Sequence, residues 1–266
     1  MKPAVNTVTL RSCTPDVIVS ILKENQIDAV EWAGDVHVPP GDLGKAESVK
    51  ALCEANEITA TSYGSYYQCD EGGQGKGPFQ YNLGAETALE TTKALGVQAV
   101  RVWGGRQGSE SASAAYREEV VSCLSDFCDE ARANEMTVHL EFHRNTLTDS
   151  AESALALMEA VARDNLYSYW QPRHGVSVSD NIADIRTLGA RLSHLHVFHW
   201  NLQSDGTIER CPLREGRARW EAYFKAISEL PGDHRYAMLE FVKNDELAQL
   251  REDAAVLREM LRSTPQ

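Results

Sequence analysis

The sequence predicts an α/β protein built as one (β/α)₈ barrel across residues 1–266. Three observations carry that prediction. Eight short apolar runs alternate with eight amphipathic stretches along the whole chain. A length of 266 residues is ordinary for such a barrel and large for most other single domains. Four consecutive apolar runs end in side chains able to bind a divalent metal: Glu141, Gln171, His196 and Glu240. In a closed parallel barrel the tails of neighbouring strands meet at one mouth, so these four would converge.

The strand-like runs cover residues 5–10, 29–32, 58–62, 99–103, 137–141, 166–170, 192–198 and 236–241. Each is short and rich in Val, Leu, Tyr or Trp, as a buried parallel strand requires. The helix-like stretches cover residues 15–25, 46–55, 85–95, 114–134, 151–162, 182–188, 220–230 and 245–262. Val120, Cys123, Leu124 and Phe127 recur at helical spacing and predict a core-facing stripe. Thr14-Pro15 and Asp149-Ser150 read as helix starts, with Pro15 in the first-turn position that tolerates it. An open doubly wound sheet is the rival fold. It would carry a glycine-rich turn after its first strand, and this chain has Leu10-Arg-Ser-Cys-Thr-Pro15 there. The glycine-rich segment 72–78 does not match a phosphate-binding P-loop, because Gly77 follows Lys76. It reads as a mobile loop, or as an active-site lid because it follows the third strand.

The formal net charge of −13 argues against nucleic acid and anionic membrane as partners. Arg210, Arg214, Arg217 and Arg219 form the one dense basic cluster, which could hold an anion. No apolar run reaches membrane-spanning length, and the first residues lack a signal peptide's apolar centre. A cytoplasmic location is therefore expected. The six cysteines form no Cys-x-x-Cys pair, so they read as reduced thiols rather than a zinc site. Either a single copy or a homo-oligomer fits the sequence.

Two glutamates, a histidine and an amide oxygen form a hard, mixed N/O donor set. Such a set suits Mn²⁺ or Mg²⁺ best, with Co²⁺ or Zn²⁺ also compatible. On the seventh strand His196 is the ligand candidate. His194 shares its face one step deeper, and His199 lies beyond the strand end. His143 and His174 follow the fifth and sixth strands. Trp32, Trp103 and Trp170 each close a strand, and such aromatics either cap the barrel or wall a sugar site.

These residues resemble the xylose isomerase-like barrel superfamily, in particular its sugar (phosphate) isomerases and epimerases. That group includes tagatose and psicose 3-epimerases, hydroxypyruvate isomerases and inosose dehydratases. The segment from Glu31 to Asp42, with Trp32 and His37, is similar to the family's second-strand segment. Arg210-Cys-Pro-Leu-Arg-Glu-Gly216 is similar to the Arg-x-Pro-x-x-x-Gly motif after strand seven, which implies that Arg210 contacts substrate oxygens. The resemblance makes Glu141 and Glu240 both metal ligands and proton carriers, with His196 the metal histidine. The epimerases place aspartate in the Asp-x-x-His motif of strand six, where this chain has Gln171-Pro-Arg-His174. The implied substrate contacts are Trp32, His37, Trp103, His143, His174 and Arg210. The implied activity is isomerisation or epimerisation of a small sugar or sugar phosphate, by proton abstraction α to a carbonyl and a metal-stabilised enediolate. A dehydratase on the same scaffold and a non-catalytic sugar-binding barrel are the alternatives.

Overall fold

The computed structural model describes residues 1–70, 84–232 and 234–264, so the expected glycine-rich loop lies outside the described residues. Eight parallel strands close into a barrel: β1 (Lys2–Asn6), β2 (Ala29–Ala33), β3 (Thr59–Gln68), β4 (Ala99–Trp103), β5 (Thr137–Leu140), β6 (Leu166–Trp170), β7 (Leu192–Val197) and β10 (Tyr236–Leu239). Neighbours pair in sequence order, and β10 closes the ring between β7 and β1. The helices α1 (Pro15–Glu24), α2 (Leu43–Ala55), α3 (Ala85–Leu95), α4 (Ala114–Ala133), α5 (Ala151–Val161), α6 (Val178–Leu188), α7 (Arg217–Ser228) and α8 (Leu247–Ser263) follow them.

The first strand differs from the expected 5–10 run. It is extended over Lys2–Asn6 and then tightens into a 3₁₀ turn, Thr7–Leu10. The Asn6 side chain causes the switch: its Oδ1 accepts the Val8 amide at 3.1 Å, an asparagine turn that competes with the sheet ladder. The third strand runs on past residue 62 to Gln68, with its register to β4 shifting between Gly64 and Gln68. The expected 192–198 run ends at Val197, and the chain then forms an unforeseen antiparallel hairpin, β8 (His199–Leu202) with β9 (Ile208–Cys211). The side chains of Asp42 and Ser177 cap α2 and α6 and start both helices earlier than their apolar patterns do.

Apolar residues fill the space between sheet and helices. Val30, Val100, Val138 and Leu195 on the strands meet Leu124, Phe127, Trp220 and Phe224 on the helices in one buried cluster. The barrel axis is different. Asn6, Glu31 and Ser62 are in register on β1, β2 and β3, so they form one inward-facing polar layer. Gly64 pairs with Arg101 across β3 and β4. Among the described residues, no helix is long and apolar enough to cross a membrane. The six cysteines are free thiols.

Candidate active site

The tails of β5, β6, β7 and β10 bring Glu141, Gln171, His196 and Glu240 together. One ligand-capable atom from each of Glu141, His196 and Glu240 lies within 4.8 Å of the others. His196 Nδ1 is 3.4 Å from Glu240 Oε2, 3.9 Å from Glu141 Oε1 and 3.1 Å from Gln171 Oε1. The Nδ1 edge thus faces all three partners. The opposite edge, Nε2, lies 3.6 Å from Glu31 Oε1. All three of Glu141, His196 and Glu240 are buried.

Beneath them is a polar floor that the sequence reading did not assign. Glu31 Oε1 accepts from Asn6 Nδ2 and from Arg101 Nε, each at 2.9 Å. Its Oε2 accepts from the Ser62 and Tyr169 hydroxyls at 2.9 and 2.8 Å. The second hydrogen of the Asn6 amide goes to Glu240 Oε1 at 3.1 Å. Arg101 also donates through Nη1 to Glu141 Oε2, which receives the Trp103 indole N–H at 2.5 Å as well. Glu141 therefore presents Oε1 to the cluster while Oε2 is already held. A charged residue in the middle of an apolar strand was the available signal for Glu31 and Arg101, since such groups are buried only when paired. Asn6, Ser62 and Tyr169 gave none, because their meeting depends on register.

The electrostatics separate the two mouth glutamates. Burial alone would push the Glu141 carboxyl up, but Arg101, His143 and His196 outweigh it and hold it below the usual value. For Glu240 burial dominates, and the like charges of Glu141 and Glu31 add to it. Its pKa is pushed up to about 7 in spite of His196 and Arg101. Burial opposes the charge on Glu31 too, yet Arg101 and the surrounding hydrogen bonds hold that carboxyl well below its ordinary range.

Above the cluster opens a cleft of about 560 Å³. Glu141, Gln171 and Glu240 line its floor, with His143, His174, Trp200 and Phe241 on its walls. Trp103 stacks on His143 at 4.9 Å between ring centroids, and His174 stacks on Trp200 at 5.0 Å. Arg210 lies on β9, paired with Asp245 at 2.9 Å. Its guanidinium sits 4.6 Å from the Phe241 ring centroid, so it supports the wall from behind. Two expected contacts, Trp32 and His37, do not line this cleft. Trp32 is 0% exposed and belongs to the core between sheet and helices, because Glu31 takes the inward face and adjacent strand residues alternate. His37 is buried, with Nε2 hydrogen-bonded to the Leu10 and Cys13 carbonyls.

The donor set fits a divalent cation. Two carboxylates, an imidazole nitrogen and an amide oxygen face one point, and each of the first three is fixed by a second contact on its far side.

A closed parallel barrel with a carboxylate–imidazole–amide cluster at its C-terminal mouth defines a class of enzyme-like (β/α)₈ proteins. Within that class the chain belongs to the xylose isomerase-like TIM barrel family, whose model matches residues 19–260. A 3-dehydroshikimate dehydratase from Bacillus anthracis is 27% identical over 173 residues, 59% of this chain and 61% of that protein. Among solved structures, the probable 3-DHS dehydratase AsbF, involved in petrobactin synthesis in Bacillus anthracis, superposes with a TM-score of 0.78 at 20% identity. That match covers 97% of this chain and 99% of the other. The D-psicose 3-epimerase from Clostridium cellulolyticum H10 gives a TM-score of 0.72 at 16% identity, over 98% and 99% of the two chains.

Proposed function

We propose that this protein is a divalent-metal-dependent sugar isomerase or epimerase that removes a proton α to a carbonyl. The observation that carries the reading is the cluster at the mouth: ligand-capable atoms of Glu141, His196 and Glu240 lie within 4.8 Å of one another, and Gln171 Oε1 is 3.1 Å from His196 Nδ1. Arg101 and Trp103 hold Glu141 Oε2, which leaves Oε1 toward the cluster. Glu141, Gln171, His196 and Glu240 would hold the metal, Mn²⁺ or Mg²⁺. When bound, it supplies Lewis-acid polarisation of the substrate carbonyl. Glu141 accepts the α-proton. Glu240 delivers a proton to the neighbouring carbon or to the opposite face of the same carbon. Trp103, His143 and His174 position the substrate, and the aromatic walls keep water from the reacting carbons.

A second reading, dehydration, is favoured by the 27%-identical relative named for that reaction. The first proton transfer is the same, and the Glu240 proton then goes to a departing β-hydroxyl.

One experiment tests both. Metal-supplemented protein is incubated in D₂O with aldoses, ketoses and a cyclic hydroxy ketone such as 3-dehydroshikimate. Isomerisation retains the carbon skeleton's water content, whereas dehydration loses a water. Deuterium at the α-carbon of recovered substrate or of an isomeric product reports proton abstraction, which the dehydrated product reports as loss of the α-hydrogen. Glu141→Gln and Glu240→Gln should each abolish turnover with the fold intact by circular dichroism. Turnover at the wild-type rate in either variant would remove that residue from the mechanism.

A further inference from the structure

A second cavity of about 300 Å³ lies behind the cleft, between the β6–α6 loop, the hairpin and α7. His174 and Trp200, stacked face to face, form the wall that the two spaces share. No aspartate or glutamate is among the described residues lining it, in a chain that carries 39 of them. Arg173, His174, His199 and Arg219 do line it.

The four arginines of the basic cluster separate here. Arg210 pairs with Asp245, Arg214 with Glu252, and Arg217 with Glu221 and Glu259. Arg173 is held by Asp184 at 2.7 and 3.0 Å. Arg219 has no ion pair among the described residues and lines the cavity, while Glu215 acts on His199 from outside the lining. His199 is 7% exposed, and its ring makes no hydrogen bond among the described residues. A Cβ on residue 216 would fall 2.5 Å from His199 Nδ1, so that edge packs on Gly216 and Nε2 is the edge left for the cavity. The start of α6 forms the opposite side. Ser177 Oγ caps the Asp180 amide at 3.1 Å, and the Val178 and Ser179 amides have no intrahelical acceptor. The one carboxylate at that helix start, Asp180, turns to the Ser177 hydroxyl at 2.7 Å and does not line the cavity.

We propose that this cavity is a binding site for a phosphate group, held by Arg219, His199 Nε2 and the first amides of α6. A guanidinium without an ion pair, an imidazole whose ring has no hydrogen bond and a helix N-terminus line one space without carboxylates, which suits oxyanion recognition. The group could arrive as inorganic phosphate or as the phosphoryl end of a sugar phosphate.

The test is calorimetric titration of the full chain, without metal and at constant ionic strength, with inorganic phosphate, glucose 6-phosphate and glucose. Saturable one-to-one binding of phosphate is expected. Arg219→Gln, an exposed position that does not disturb the core, should weaken it about tenfold, the loss of one charge-assisted contact. His199→Phe keeps the packing on Gly216 and should weaken it as well. Glucose 6-phosphate binding much tighter than phosphate, with glucose silent, assigns the group to a larger ligand. Equal affinities assign it to the free anion. Non-saturable phosphate uptake, or equal affinity in wild type and Arg219→Gln, overturns the site. No metal or turnover enters the readout, so its failure is distinct from failure of the proposed reaction.

Discussion

Arg101 donates through Nε to Glu31 Oε1 at 2.9 Å inside the barrel, with both side chains closed to solvent. The same guanidinium holds Glu141, so one cation ties the floor of the site to its mouth. A buried pair of this kind gains little over apolar packing, but breaking it strands a charge. Arg101→Met should therefore cost about 3–5 kcal/mol in urea unfolding. A loss under 1 kcal/mol would mean that Glu31 and Glu141 find other partners or water.

Gly64 makes room for that arginine. A Cβ at this position would lie 2.5 Å from Arg101 Nη2 and 3.3 Å from Glu31 Oε1. Both neighbours are hydrogen-bonded and buried, so neither can withdraw cheaply. Gly64→Ala should cost about 1–3 kcal/mol, as overpacking in a core does. It should also loosen the Arg101 contact to Glu141. A variant as stable as wild type would show that the guanidinium has slack.

The barrel was legible because its signal is repetition: eight apolar runs alternate with helical stripes, and errors at single ends do not change the count. The mouth was legible for a related reason, since Glu141, Gln171, His196 and Glu240 stand where strands stop. The floor was less so. Glu31 and Arg101 announce themselves only as charges within apolar strands, and nothing in one strand says which charge on another it meets. That depends on register, such as Asn6 opposite Glu31 and Gly64 opposite Arg101. Trp32 and Trp103 look alike as strand-ending aromatics, yet one turns to the helices and the other to Glu141 and His143. The hairpin after Val197 was hidden because its strands, His199–Leu202 and Ile208–Cys211, are four residues each and mixed in polarity, so neither stands out as an apolar run.

Asp253 on α8 gives a pH signature away from the site. Its Oδ1 accepts the Leu213 amide and the Gln249 side chain, each at 2.9 Å, and burial pushes its pKa up to about 6. The folded carboxyl thus keeps a proton that the unfolded one, near the ordinary value of about 3.9, has released. Its contribution to stability is fully present below that lower value and is lost as pH rises through about 6. Asp253→Asn retains an acceptor oxygen and cannot ionise. Between pH 4 and pH 7.5 the variant should gain on wild type by on the order of 2 kcal/mol in denaturant unfolding. A constant difference across that range would show that Asp253 titrates normally.

If the mouth holds the proposed cation, Gln171 sets how strongly. Its Oε1 lies 3.1 Å from His196 Nδ1, on the side of the ring that faces Glu141 and Glu240. As a ligand it contributes an oxygen without a charge, so the site carries two carboxylates and not three. A neutral amide oxygen is the weaker partner for a hard dication. Gln171→Glu preserves the reach and adds the charge, and should tighten Mn²⁺ binding on the order of tenfold or more. Gln171→Asp adds the same charge on a shorter arm, and should tighten binding only if the backbone of the β6–α6 loop lets it reach. Titrating all three apo-proteins with Mn²⁺, followed by electron paramagnetic resonance, ranks them without reference to any substrate. The order Glu tighter than Gln places residue 171 on the cation. Equal affinity in all three forms would remove it from the ligand set and leave it as part of the cleft wall.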